Sequence, residues 1–542
     1  MYLDGYSNLS KLTKSTSTAV YQANQDSLDR TVAIRFLSPD LLMDAQARIF
    51  FDRESLVIAR LNHPNIIKVI DRGITPKKHP YFVMEYVQGE DLDSIRTSRK
   101  PSLIAKSQLL MQTCKGLACA HKNNVLHRNI KPSNILIDKQ GHVYILDVGI
   151  AWLEASGKSE NEEVPGSSDY LSPEQLTEPA KVSHLSDIYS LGVLMYELFA
   201  GSLPSQHPDD LAEGLGSLPP PLIELILQCL QTRPESRPAS ADEVHFRLLK
   251  MLNGAHIKQS DQMEAIATIG PAADKFELLD VINRNFFGAV YLFDDKSRNI
   301  LVVVKKRVKT HAGLREANQL KAIQHDNIIR VLGTSSKSQT FIVVMEYLNA
   351  GSLQDRLSRP FDLKRFLGVA TGVSLAMQRA HKDNIIHGNL RPGNILFNRK
   401  GDAKVTDFGF SKHYTNNLKR DWYQPQSRQN ASVKRDIYSA GAIFYHMLTG
   451  SPATVRYGQL TPEKGFSNLS AEIQSLLRNM IEMQSLSRLH SFDEVLDVLK
   501  TIQVDDVGVH EAPEKTSKSP RYRIALFALV SMLALLFVWL FN

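Results

Sequence analysis

Leu126–Ile137, LHRNIKPSNILI, and Ile386–Phe397, IHGNLRPGNILF, are the same segment met twice, 260 residues apart. Working outward, other pairs line up in the same order. HPNIIKVIDRG at His63 matches HDNIIRVLG at His325, and FVMEYVQGEDL at Phe82 matches VVMEYLNAGSL at Val343. Towards the C-terminus, DIYSLGVLMYEL at Asp187 matches DIYSAGAIFYHM at Asp436. The offset shrinks from 262 residues at His63 to 249 at Asp187, so one long unit is duplicated with small deletions, and a short solenoid repeat is excluded. The boundary falls in 253–274, small and polar residues ending near Gly270-Pro271.

Each copy changes pattern partway. The first third holds short β-type runs, TVAIRFL at Thr31 and YFVMEYV at Tyr81, around one helical segment. The remainder reads helical, as in SDIYSLGVLMYELFAG at Ser186, with Asp187 near the start and Gly201 just past the end. The expected class is α+β: two tandem bilobal domains, each a small β-rich lobe and a larger helical lobe, with a ligand held between lobes.

Composition narrows the function classes. The chain has 542 residues, 43% apolar and 22% charged, which suits well-filled globular cores. Sixty-four basic against 57 acidic side chains leave +7, a mild excess without a basic, aromatic-studded stripe, so nucleic acid is not an expected partner. Cys114, Cys119 and Cys229 form no CxxC pair and no metal-spaced set, and read as buried reduced thiols. The N-terminus has neither a basic start nor an apolar run, so no secretory signal is read there. Ile524 to Phe541, IALFALVSMLALLFVWLF, is apolar but for one serine, and at about 1.5 Å per residue it spans about 27 Å, close to a bilayer core. Lys515, Lys518, Arg521 and Arg523 precede it, so the expectation is a C-terminal transmembrane helix with the soluble domains cytoplasmic.

With these motifs in hand, both halves resemble the eukaryotic-type protein kinase family, and SDYLSPEQ at Ser168 is most like its bacterial serine/threonine members. The resemblance divides the chain into a first kinase-like domain at 6–252, a linker at 253–274 and a second kinase-like domain at 275–503. A basic linker at 504–523 and the apolar run at 524–541 follow. It implies ATP and Mg2+ as cofactors, because in this chemistry catalysis is positioning plus charge stabilisation. A glycine-rich turn admits phosphates to the backbone, a lysine held by a helix glutamate grips them, an asparagine and an aspartate hold the metal, and a second aspartate takes the substrate proton.

Carried over residue by residue, the first copy departs at three of these places. Its turn, TKSTSTAV at Thr13 to Val20, has no glycine; Arg35 in VAIR stands for the lysine; and Asn129 stands for the proton acceptor in His127-Arg128-Asn129. Glu54 is the implied partner of Arg35, and Asn134 and Asp147 the implied metal pair, with Asp147 equally readable as retained for folding. In the second copy Gly288 survives while Asn283 and Asn285 replace the other glycines. Lys305 follows Val290 by fifteen residues, as Arg35 follows Val20, which favours Lys305 over Lys306 as the clamp, with Glu316 as its partner. Asn394 and Asp407 are the implied metal ligands, Asn389 again replaces the acid, and Arg391 replaces a lysine. Met345, Glu346 and Leu348 fall at the back of the nucleotide pocket and its hinge, though a methionine there is as readily plain core. Tyr423-Gln424-Pro425-Gln426 lacks the glutamate that the first copy keeps at Glu174. An amide can orient a hydroxyl but cannot accept its proton at neutral pH. The expected function is therefore a membrane-tethered signalling protein of two pseudokinase-like domains, the second binding ATP and acting through conformation on unidentified protein partners. The alternatives are a weakly active serine/threonine kinase and a scaffold that binds no nucleotide.

Overall fold

The computed structural model describes residues 3–502 apart from 15–17, 100, 149–167, 205–210, 217, 309–313, 338–339, 410–421, 426–430, 464 and 483–488. The first small lobe is an antiparallel sheet of β1 (Tyr6–Lys14), β2 (Thr18–Gln25), β3 (Arg30–Leu37), β4 (Val69–Ile74) and β5 (Pro80–Glu85), ordered β1-β2-β3-β5-β4, with α1 (Ala45–Arg60) between β3 and β4. Strand alternation sorts β3 cleanly. Val32, Ile34 and Phe36 face an outer cluster with Tyr6 and Val83, whereas Ala33 and Leu37 join the core beneath the sheet. Arg35 lies on that second face, towards the cleft.

The first large lobe carries β6 (Gly89–Asp91), β7 (Ile135–Asp138) and β8 (Val143–Ile145) as a small sheet, with helices α2 (Leu92–Ser98), α3 (Leu103–Lys122), α4 (Pro173–Thr177), α5 (His184–Ala200), α6 (Pro220–Cys229) and α7 (Ala241–Leu252). Ser183 caps α5 through the Leu185 N–H, so the helix begins two residues before the run read from sequence, and Gly201 at φ +82° ends it where the sequence placed its end. All three cysteines are free and buried.

The second copy repeats the plan: β9 (Phe276–Asn285), β10 (Gly288–Asp295), β11 (Ile300–Val308), α9 (Leu314–Leu320), β12 (Val331–Lys337) and β13 (Thr340–Glu346) form its small lobe, in the matching order β9-β10-β11-β13-β12. Its large lobe has α10 (Leu363–Lys382), β14 (Ile395–Phe397), β15 (Ala403–Val405), α11 (Val433–Thr449), α12 (Ala471–Ile481) and α13 (Phe492–Thr501). The stretch expected as a bare linker contains a helix, α8 (Gln259–Ile269), whose Ala265 is fully buried against Ala289, Tyr291 and Val304 on the outer face of the second sheet.

The two copies pack into one compact unit. Leu279 and Leu292 of the second small lobe are buried in the same core cluster as the first large lobe. Asn123, at the end of α3, donates to the Asp355 carbonyl at 2.8 Å and accepts from the Ser358 N–H at 3.2 Å, both in the second large lobe. The expected transmembrane anchor is corrected here. Among the described residues no helix is long and apolar enough to cross a membrane, and 524–541 lie outside them.

Candidate functional site

The two central loops are built alike. Buried Asp187 accepts the N–H groups of His127 and Arg128 at 2.8 and 2.7 Å and the His121 ring at 2.8 Å. Asp436 does the same for His387, Gly388 and His381 at 2.9, 2.8 and 3.0 Å. This pinning holds residue 128 or 388 in the left-handed region, at φ +66° for Arg128 and +71° for Gly388. A glycine there carries no strain, so the loss of the arginine side chain in the second copy leaves the loop conformation intact.

The rings of His127 and His387 are wholly buried, which pushes their pKa down and keeps them neutral. Each donates from Nε2 to a strand-end carbonyl, Leu146 at 2.9 Å or Thr406 at 3.0 Å, and accepts the N–H of Asn129 or Asn389 on Nδ1 at 3.3 Å. Asn134 and Asn394 donate their side-chain N–H groups to the carbonyls of Asn129 and Asn389 at 2.8 and 3.0 Å. Each amide oxygen therefore remains for another partner.

In the second copy, alternation along β11 sends Lys305 and its neighbour to opposite faces. Lys305 Nζ meets Asp407 at 2.6 Å in the cleft, while Lys306 Nζ meets Glu264 of α8 at 3.0 Å on the outer face. The cleft lysine is thus Lys305, held opposite Val290 in the β10–β11 register. Burial alone would raise the pKa of Asp407; the adjoining Lys305 ammonium more than offsets it and keeps the carboxyl below its ordinary range. Phe408 tucks against the His387 ring with centroids 4.7 Å apart. A carboxylate and an amide oxygen, Asp407 and Asn394, are hard ligands that suit Mg2+, and the Thr406 N–H to Asn394 carbonyl bond at 2.9 Å holds the two segments side by side.

Other residues fall differently from the expectation. Lys305 pairs with Asp407 and not with Glu316, whose carboxyl instead lies against Gly409 so closely that a Cβ there would sit 2.4 Å from it. Glu54 lies on α1, and its side chain is outside the described residues, as are Gly149 and Gln426. Gly288 has φ +145°, and a Cβ on it would come within 2.0 Å of the Lys306 carbonyl, so strand packing alone demands glycine. Met345 is buried and receives the Thr406 hydroxyl on sulfur at 3.8 Å. Glu346 is engaged structurally, by Lys404 at 2.7 Å and the Arg330 N–H at 2.8 Å, and Leu348 follows it half-buried. Asn389 has lost its freedom: Arg391 donates to its amide oxygen from Nε at 3.1 Å and Nη2 at 2.5 Å.

The first copy has a cavity of about 420 Å³ between its lobes, walled by Val20, Ala33, Met84, Leu136 and Leu146. At its inner end Arg35, 7% exposed, meets Asp147 through Nη2 at 2.5 Å. Asp147 and Asp407 share a left-handed backbone, φ +57° and +66°. The two copies therefore place cation, aspartate and loop asparagine in the same order around the cleft.

The protein kinase domain family matches the chain twice, over residues 6–248 and 276–499. The chain belongs to the protein kinase domain family. Its kinase domains are related to bacterial serine/threonine protein kinases of the Hanks type. Serine/threonine-protein kinase A of Synechocystis is 35% identical over 257 residues, 42% of this chain and 49% of that protein. PknB of Mycobacterium tuberculosis is 35% identical over 259 residues, 43% of this chain and 41% of that protein. The chain thus spans about half or less of the length of these relatives. The solved PknI kinase domain of Mycobacterium tuberculosis is 27% identical, covering 46% of this chain and 97% of that one, with a TM-score of 0.38.

Proposed function

We propose that this chain signals by binding rather than by phosphoryl transfer, with ATP and Mg2+ held in its second kinase domain and the occupied state presented to protein partners. The observation that carries this reading is the Asn389–Arg391 contact. The residue that should take the substrate proton is an amide, and its oxygen is already engaged by a guanidinium. Lys305 and Asp407 supply the charges, and Asn394 an amide oxygen, that would hold nucleotide and metal. The bound nucleotide brings the transferable phosphate; the protein grips it, orients it and supplies no base. In the first domain Asn129 also stands for the acid, and neither the lysine nor a glycine-bearing turn is present.

A working serine/threonine kinase is the second reading, favoured by Asp407, Asn394 and the Phe408–His387 packing. The full chain should stabilise on adding Mg·ATP, and Lys305→Ala should abolish that shift while Lys306→Ala leaves it. Its transfer to a generic serine/threonine substrate should stay well below the ~1 s⁻¹ lower end of working kinases. A rate at or above that level, lost in Asp407→Ala, would establish the second reading, and no Mg·ATP response at all would leave a nucleotide-free scaffold.

A further inference from the structure

The first domain's cleft is the cavity this reading does not use. Arg35 is more than nine-tenths buried at its inner end. Asp147 takes one donor, on Nη2, whereas Nε and Nη1 are buried without a partner among the described residues. Buried donors demand acceptors, and a planar guanidinium fork matches a carboxylate in shape. The side walls are apolar, with Val20 and Met84 from the small lobe and Leu136 and Leu146 from the large lobe, and such walls suit an apolar ring.

Charge decides how many negative groups fit. Glu85, Glu90, Asp91 and Asp147 line the same cavity, Glu90 paired with Arg99, and among the described lining residues Arg35 is the one cation. A triphosphate would bring several negative charges to an acidic rim, beside a turn whose residues 13–20 contain no glycine to let phosphate approach the backbone. A ligand with one anion on Arg35 and no other charge brings a single charge to that rim, with Asp147 as its immediate competitor. The volume, about 420 Å³, holds a small ring system.

We propose that the first kinase domain binds a planar aromatic molecule bearing a single carboxylate, seated on Arg35, in place of a nucleoside triphosphate. This site is separate from the second domain's, and the proposal does not rest on nucleotide binding there. The test is calorimetric titration of the full chain carrying Lys305→Met, so that the second cleft is silent, with benzoate, 2-naphthoate and biphenyl-4-carboxylate. At least one should bind saturably, at least tenfold tighter than its neutral alcohol and undisturbed by Mg·ATP. Arg35→Gln should weaken it at least tenfold, and Asp147→Asn, which removes the competing carboxylate, should tighten it. The comparison of acid with alcohol needs no change at Arg35, so it stands even if that variant misfolds. The proposal is overturned if none of the three acids binds up to about 1 mM, if acid and alcohol bind alike, or if Mg·ATP displaces the acid. Loss of the Mg·ATP response in the Lys305→Met chain reports separately on the second domain.

Discussion

Arg391 and Asn389 set the chemical limit of the second domain. A side chain that accepts a proton in a transition state needs an exposed, basic oxygen, worth about 10² to 10⁴-fold in rate. Restoring the acid by Asn389→Asp places a carboxylate where Arg391 already reaches with two nitrogens at 3.1 and 2.5 Å. The new ion pair favours the charged carboxylate and lowers its basicity. Asn389→Asp alone should therefore raise single-turnover γ-phosphate transfer by less than about tenfold, and Asn389→Asp with Arg391→Lys should approach the ~10²-fold lower bound. A full gain from the single change would show that Arg391 does not restrain this position.

Helix α4 shows what a buried pair does for an element of five residues. Glu174 opens it and takes both Nη groups of Arg237, from the loop before α7, at 2.7 and 2.9 Å, with the Ser186 hydroxyl at 2.7 Å. Burial opposes the ionised carboxyl, but the Arg237 and Ser186 hydrogen bonds win and hold its pKa at about 2. The folded value lies below the ordinary one, so the contribution is complete above about pH 4.5 and fades as pH falls towards 2. Glu174→Gln should cost about 3–5 kcal/mol near neutrality, because it leaves Arg237 buried beside a neutral amide. In urea unfolding followed at several pH values, the gap between wild type and variant should narrow below pH 4.5; a gap independent of pH would deny the ion pair this role.

Such local features divide what the sequence shows from what it hides. The duplication, the C-terminal end of α5 and the difference in placement between Lys305 and Lys306 were legible because motif order, the capping glycine and strand alternation are written within a few residues of each other. The partner of Lys305 was not. Glu316 and Asp407 are both acids within the motif set, and which one meets the ammonium depends on how a seven-residue helix, α9, settles against the sheet. Helix α8 was hidden for a similar reason, since its buried Ala265 is meaningful only once the second sheet exists to cover it. The Arg391 clamp lies between, because the substitution is visible in sequence and its consequence only in the contact.

At the largest scale described, the two kinase domains pack directly on each other. One kinase domain grips both lobes of the next: Leu279 and Leu292 of the second small lobe sit at 1% and 2% exposure in the first domain's core, Leu301 and Tyr347 pack against them, and Asn123 holds the Asp355–Ser358 backbone. The strand registers place Gln22 and Thr31 of the first copy where Leu292 and Leu301 stand in the second. At these two strand positions the surface is apolar in the copy that is gripped and polar in the copy that is not, so the first copy is less suited to being gripped in the same way. Residues 257–503, which keep α8 on its sheet, produced alone should expose those leucines and self-associate, and Leu292→Gln with Leu301→Thr should make that fragment more soluble. The same two changes in the full chain should lower its stability, by about 1.5–3 kcal/mol for the fully buried Leu292 and by less for half-buried Leu301. Light scattering of the fragment and urea unfolding of the full chain read the two effects in opposite directions. A fragment that is monomeric without the changes, or a full chain indifferent to them, would mean the first domain does not support the second.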